Sequence, residues 1–185
     1  MTRRPAAVLL CVAVAVALSA CTVHRGNIVD ENLTQAEALH RTVGYLEDLV
    51  GALPDGTSLT QNYSRNSTGK IGTGHVGPCY DGNLIEDMPA NVGARYQVSG
   101  MPGGAAKRYL GLIVDYWESR DWPVDERMIG DTLWAGAQVP DGFGFSASVN
   151  DSGDLSVTVS STCFPHVDSG YFGTIDTPET IGGSG

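Results

Sequence analysis

The chain has 185 residues, 42% of them hydrophobic and 17% charged, with 21 acidic against 11 basic side chains and a formal charge of −10 at pH 7. That balance excludes a nucleic-acid interface built on phosphate neutralisation and opposes unaided adsorption to anionic headgroups. Length and apolar content suit one globular domain around a single core.

The N-terminus reads as an export signal. Arg3 and Arg4 precede an uninterrupted apolar run over residues 6–18, and small residues follow it. As a helix that run spans about 20 Å, short of the ~30 Å hydrocarbon core, so the pattern predicts a processed segment rather than a permanent span. Its ending, Leu18-Ser19-Ala20-Cys21, resembles the lipobox of bacterial lipoproteins. The resemblance implies diacylglycerol on the Cys21 thiol, cleavage before that residue, and attachment by acyl chains that each contribute about 0.8 kcal/mol per buried CH₂. Loss of residues 1–20 removes two arginines, leaving 9 basic against 21 acidic residues and a formal charge of −12. Membrane attachment therefore rests on the lipid. Lys70 and Lys107 are the only lysines, and Ala, Gly, Val and Asp abound, a bias that fits a high-G+C, actinobacterial genome.

The organisation expected from these features is a signal peptide at 1–20, a polar tether at 21–32, a single domain at 33–165 and a flexible tail at 166–185. Within the domain, Thr34 and Glu37 form a capping-box pattern ahead of Leu39, Val43, Leu46, Val50 and Leu53, whose spacing lays an apolar stripe on a first helix. Pro54-Asp55-Gly56 stops it. Short strands are predicted at 59–63 and 95–99, with a Gly-rich connector over 69–77. Gly103-Gly104 open a second helix carrying Leu110, Ile113, Val114 and Trp117 on one face, which ends near Trp122-Pro123. Asp125-Glu126 reads as a solvated turn, and 133–138 as a strand. Phe143, Phe145, Ala147 and Val149 alternate with small or polar residues, as do Leu155, Val157 and Val159 after a turn at 150–154, which predicts a hairpin. Continuing that period points Cys163 at the core. The fold class expected is α+β: an antiparallel sheet of about four to five strands, with a C-terminal meander and two helices packed on one face.

With Cys11 in the signal and Cys21 lipidated, Cys79 and Cys163 remain, and export favours their pairing as a disulfide worth about 4 to 5 kcal/mol in the chain-entropy model. The alternative is zinc held by His75, Cys79, Cys163 and His166, spaced His-x₃-Cys and Cys-x₂-His. Ser67-Thr68-Gly69-Lys70 matches a Ser-x-x-Lys nucleophile pattern without its companion motifs, and Gly144-Phe145-Ser146-Ala147-Ser148 lacks the last glycine of a nucleophile elbow and falls in a strand. Gly100, Gly103 and Gly104 ahead of Lys107 and Arg108 suggest an anion at a helix N-terminus, beside the plainer reading of a turn. Trp117, Trp122 and Trp134 read as core or as pocket walls. No catalytic residue set, cofactor motif or metal set beyond the contested one stands out.

The combination of lipobox, capped first helix, Gly77-Pro78-Cys79, Asp121-Trp122-Pro123, Pro140-Asp141-Gly142-Phe143 and Ser160-Ser161-Thr162-Cys163 resembles the small mycobacterial lipoproteins of the LppA-like kind. That resemblance implies a fold and an extracytoplasmic, lipid-anchored address and carries no reaction with it. The functional expectation is a non-enzymatic envelope protein with a protein, lipid or glycan partner, its surface sought on the Gly-rich segment and the Trp-bearing end of the second helix. An envelope hydrolase with an unrecognised site is the alternative.

Overall fold

The computed structural model describes residues 29–61, 74–80, 88–166 and 172–182. The signal, Cys21, Ser67 and Lys70 lie outside the described residues. Among these residues two helices and nine strands follow in chain order: α1 (Gln35–Gly51), β1 (Ser58–Thr60), β2 (Gly74–Pro78), β3 (Ala90–Ser99), α2 (Ala106–Ser119), β4 (Val124–Ile129), β5 (Thr132–Gln138), β6 (Gly144–Val149), β7 (Leu155–Ser160), β8 (Gly173–Ile175) and β9 (Thr180–Gly182). The fold is α+β with a single large antiparallel sheet.

The sheet runs β4-β5-β6-β7-β3-β1-β9, with β2 also on β3 and β8 on β2. β3 organises it. One edge takes β7 along its middle, while the other takes β2 against residues 90–93 and β1 against residues 97–99. Alternation along each strand sends Val92, Ala94, Tyr96 and Val98 to the same face as Leu155, Val157 and Val159, and Phe145, Ala147 and Val149. Both helices cover that face, α1 over β3 and β9 and α2 over β6 and β7.

Thr34 caps α1 in extended backbone, its hydroxyl accepting from the Glu37 N–H at 3.2 Å. The apolar stripe is turned from the expected one. Ala38, Thr42, Leu46 and Leu49 are buried, whereas Leu39, Val43 and Val50 are half-buried. Small Ala38 and Thr42 sit at the contact, and the larger aliphatics flank it. α2 matches its predicted face, with Leu110, Ile113, Val114 and Trp117 buried and Tyr109 and Tyr116 added. The hairpin and the strand at 132–138 also stand where alternation put them.

Three expectations are corrected. Among the described residues the sheet has nine strands rather than four or five, because β2, β4, β8 and β9 join the five expected ones, and β8 and β9, at three residues each, are too short to print a period on the sequence. Asp125 and Glu126 belong to an exposed edge strand, β4, not to a turn. With no strongly buried face, such a strand shows no apolar alternation. The tail at 166–185 contributes β8 and β9, which pair with β2 and β1, and Ile181 is buried. The Gly-rich connector likewise yields β2 over its last residues.

Candidate functional site

The face of the sheet opposite the helices is polar. It presents Arg95 and Gln97 from β3, Ser156 and Thr158 from β7, Ser146 and Ser148 from β6, and Trp134 from β5. The serines of the Gly144-Phe145-Ser146-Ala147-Ser148 segment therefore stand on the outer face, as a strand requires. Trp134 lies against Gly136, whose missing side chain leaves room for the indole, and the Arg127 guanidinium sits 4.4 Å from the ring centroid.

At one end of this face a shallow cup of about 160 Å³ is lined by Arg95, Gln97, Ser148, Asn150, Asp154 and Ser156. Its groups are already tied together. Arg95 donates to the Ser156 hydroxyl at 3.0 Å, and the Ser148 and Ser156 hydroxyls lie 3.2 Å apart. Gln97 donates to one Asp154 carboxylate oxygen at 3.3 Å and Asn150 to the other at 3.2 Å, while the Asp154 N–H donates to the Asn150 side-chain oxygen at 2.8 Å. The result is two adjoining sets of fixed donors and acceptors, one holding a guanidinium and the other a carboxylate, open to solvent. Such a cup suits hydrogen bonding to a neutral, many-hydroxyl ligand.

Cys79 and Cys163, 84 residues apart, are joined in a disulfide with Cα atoms 6.1 Å apart, both residues buried. Both sulfurs are consumed, so the two-thiolate zinc set does not form. His75 is exposed on β2 and His166 stacks on Phe172 at 4.9 Å. Beside the bridge, Val29 pairs with Cys163, and the Asp30 N–H donates to the Cys163 carbonyl at 2.8 Å.

The glycines before α2 have separate duties. Gly100, at φ +81°, packs on the Gly56 carbonyl, whereas a side chain on Gly103 would meet open space. The depression next to the α2 N-terminus, about 250 Å³, holds Lys107 but also Asp131 and Asp151, whose carboxylates oppose an anion there. Trp117 and Trp122 are buried among Tyr45, Tyr116 and Phe145, so they are core.

One cluster escaped the sequence. Asp141 accepts from Arg41 and, at 2.6 Å, from the Tyr45 hydroxyl, and its second oxygen accepts from the Phe143 N–H at 3.3 Å. Arg41 also lies over the Phe143 ring at 4.7 Å. This staple fastens the β5–β6 turn to α1. Burial first, and then the hydrogen bond and negative charge of Asp141, push the Tyr45 phenol up to about 12. Asp141-Gly142 was legible as a turn, but its partners are about a hundred residues earlier and nothing local announces them. Among the described residues no cluster of three or more His, Cys, Asp or Glu is placed to hold a metal ion, and no helix is long and apolar enough to cross a membrane. The chain matches no protein-family model, no curated protein and no solved structure, so the geometry of the cup and of the disulfide-locked end is what its function must be read from.

Proposed function

We propose that the chain is the precursor of an envelope lipoprotein, anchored through lipid on Cys21 at the extracytoplasmic face of the cell membrane, and that its mature domain works by binding a glycan rather than by catalysis. The lipobox, the buried disulfide and the resemblance to small mycobacterial lipoproteins support the address. One observation carries the binding reading: the polar cup lies at the opposite end of β7 from the point where the N-terminal segment joins. The chain enters at Val29, beside Cys163, whereas the cup is built around residues 150–154 before the strand begins. The strand and its extension separate those ends by about 30 Å. At full extension the stretch from Cys21 to Val29 reaches no more than about 28 Å, so it is the Val29 end, rather than the cup end, that is tied to the bilayer.

The side chains of the cup support a glycan. Planar amide, carboxylate and guanidinium groups, held by one another, match vicinal hydroxyls in pairs, and a charge-balanced cup in a strongly acidic chain disfavours polyanions. The test uses the full chain made in membranes. Wild type should partition into detergent and bind purified neutral envelope polysaccharide, Cys21→Ala should remain an unprocessed precursor, and Arg95→Ala or Asp154→Ala should weaken polysaccharide binding about tenfold or more. Partition of the wild type into the aqueous phase would overturn the anchor. Polysaccharide binding that ignores both cup substitutions would overturn the site, and turnover of ester, peptide or glycoside substrates abolished by Ser67→Ala or His75→Ala would overturn the binding reading itself.

A further inference from the structure

We propose that β4 is the seam of a symmetric dimer, its open edge pairing antiparallel with β4 of a second copy about a two-fold axis at Glu126. Among the described residues β4 pairs only with β5, which leaves one of its edges without a neighbouring strand. Residues 125–129 are exposed, and Met128 and Ile129, at 60% and 53%, are among the most exposed large apolar side chains described. Charged side chains ordinarily blunt an open strand edge, but Asp125 and Arg127 are of opposite sign and two residues apart, so an antiparallel second copy can satisfy both while Met128 and Ile129 lose water.

The hydrogen-bond phase fixes which backbone groups are free. Gln138 donates its N–H to the Pro123 carbonyl at 3.2 Å, and the register sets Val124 opposite Ala137. Residues 123, 125, 127 and 129 therefore turn their backbone groups toward β5, while Val124, Glu126 and Met128 turn theirs to the open edge. A two-fold axis normal to the sheet keeps the helix-covered faces on one side and requires opposed residues to share a face. Centred on Glu126, it opposes Val124 to Met128 of the second copy and Glu126 to itself, all with outward backbone groups, for about six hydrogen bonds between copies.

The same register opposes Asp125 to Arg127 of the second copy, twice, at the closely spaced pairs that carry no backbone bonds. Within one copy these side chains already lie 3.6 Å apart, so association completes an alternating square of four charges. The neighbouring registers are worse. Centring on Asp125 or on Arg127 sets that residue against its own like charge and pairs Glu126 with Val124 or Met128. The one unfavourable contact in the proposed register is Glu126 against itself, and it supplies a control.

Sedimentation of the full chain in detergent, at about 100 μM and about 0.15 M salt, where the Debye length of ~8 Å leaves short-range pairs dominant, reads the stoichiometry. The wild type is expected to dimerise. Asp125→Arg and Arg127→Asp should each weaken self-association about tenfold or more, whereas an equimolar mixture of the two should form the heterodimer, because both opposed 125–127 pairs then carry opposite charges. The mixture also guards against misfolding, since an unfolded variant cannot restore its partner. Glu126→Gln should strengthen the dimer. A monomeric wild type, single variants that dimerise like the wild type, or a mixture that fails to pair would each overturn the seam.

Discussion

Val29 and Cys163 form a parallel bridge, and the adjoining Asp30 N–H donates to the Cys163 carbonyl at 2.8 Å. The segment leading from the N-terminus is thus fastened to a residue that is itself fastened, through sulfur, to the end of β2. Phe164, the next residue, exchanges backbone hydrogen bonds with Ala90 at the start of β3. Chain entry, disulfide and central strand meet in one place.

Removing the disulfide should therefore loosen that end as well as lower global stability. Cys79→Ala with Cys163→Ala is expected to cost about 2 to 5 kcal/mol, the usual loss for a native bridge closing a long loop. Urea unfolding measures the loss, and amide exchange at Asp30 and Phe164 should accelerate more than at Val157, in the middle of β7. Unchanged exchange at Asp30 would separate the tether from the bridge.

Gly100 and Gly103 make opposite predictions from adjacent turns. A Cβ at Gly100 would stand 2.0 Å from the Gly56 carbonyl oxygen, at a φ of +81° that L residues rarely adopt, and backbone has no rotamer with which to give way. Gly100→Ala should cost more than about 2 kcal/mol. Nothing lies within 4 Å of a Cβ at Gly103, so Gly103→Ala is expected to be neutral or stabilising by about 0.4 to 1 kcal/mol. Thermal melts of the two proteins compare them directly, and equal losses would refute the contact.

What the sequence made legible was whatever prints a period or a local rule. Phe145, Ala147 and Val149 alternate because β6 has one buried face, and Thr34 announces α1 because a cap is a local hydrogen bond. The Cys79–Cys163 pairing followed from counting thiols. β8 and β9 were illegible because strands of three residues exist only where the free edges of β2 and β1 receive them. Asp125-Glu126, inside β4, reads as a turn because the run Val124-Asp125-Glu126-Arg127 offers no buried face to alternate. The cup was hidden for a related reason: Arg95, Ser148 and Asp154 are ordinary surface residues along the chain, and strand register alone gathers them.

The turned stripe of α1 is open to a direct comparison. Leu49 is fully buried against the sheet, whereas Leu39, on the stripe expected from spacing, is half-buried. Leu49→Ala should cost about 2 to 5 kcal/mol and Leu39→Ala distinctly less, since a partly solvated side chain forfeits less transfer energy and leaves no closed cavity. Chemical unfolding of both variants ranks them. A larger loss at Leu39 would restore the spacing-based face.

Alkaline titration tests the staple between α1 and the β5–β6 turn. Burial, followed by the hydrogen bond and charge of Asp141, raises the Tyr45 phenol to about 12, while Arg41 pulls it the other way. A pKa raised on folding means that the native state favours the neutral phenol. The stabilising contribution is then complete below the unfolded value of about 10 and is lost as pH rises toward 12. Tyr116, also raised, chiefly by burial, should titrate late as well. Ultraviolet titration should thus resolve a delayed tyrosine phase that shrinks but persists in Tyr45→Phe. Asp141→Asn removes the charge that opposes the phenolate and leaves Arg41 to favour it, so the Tyr45 phenol should fall toward its ordinary range and the stability lost between about pH 10 and 12 should shrink with it. If Tyr45 instead ionises in the ordinary phenol range near 10 in the wild type, the Asp141 contact is not held in solution.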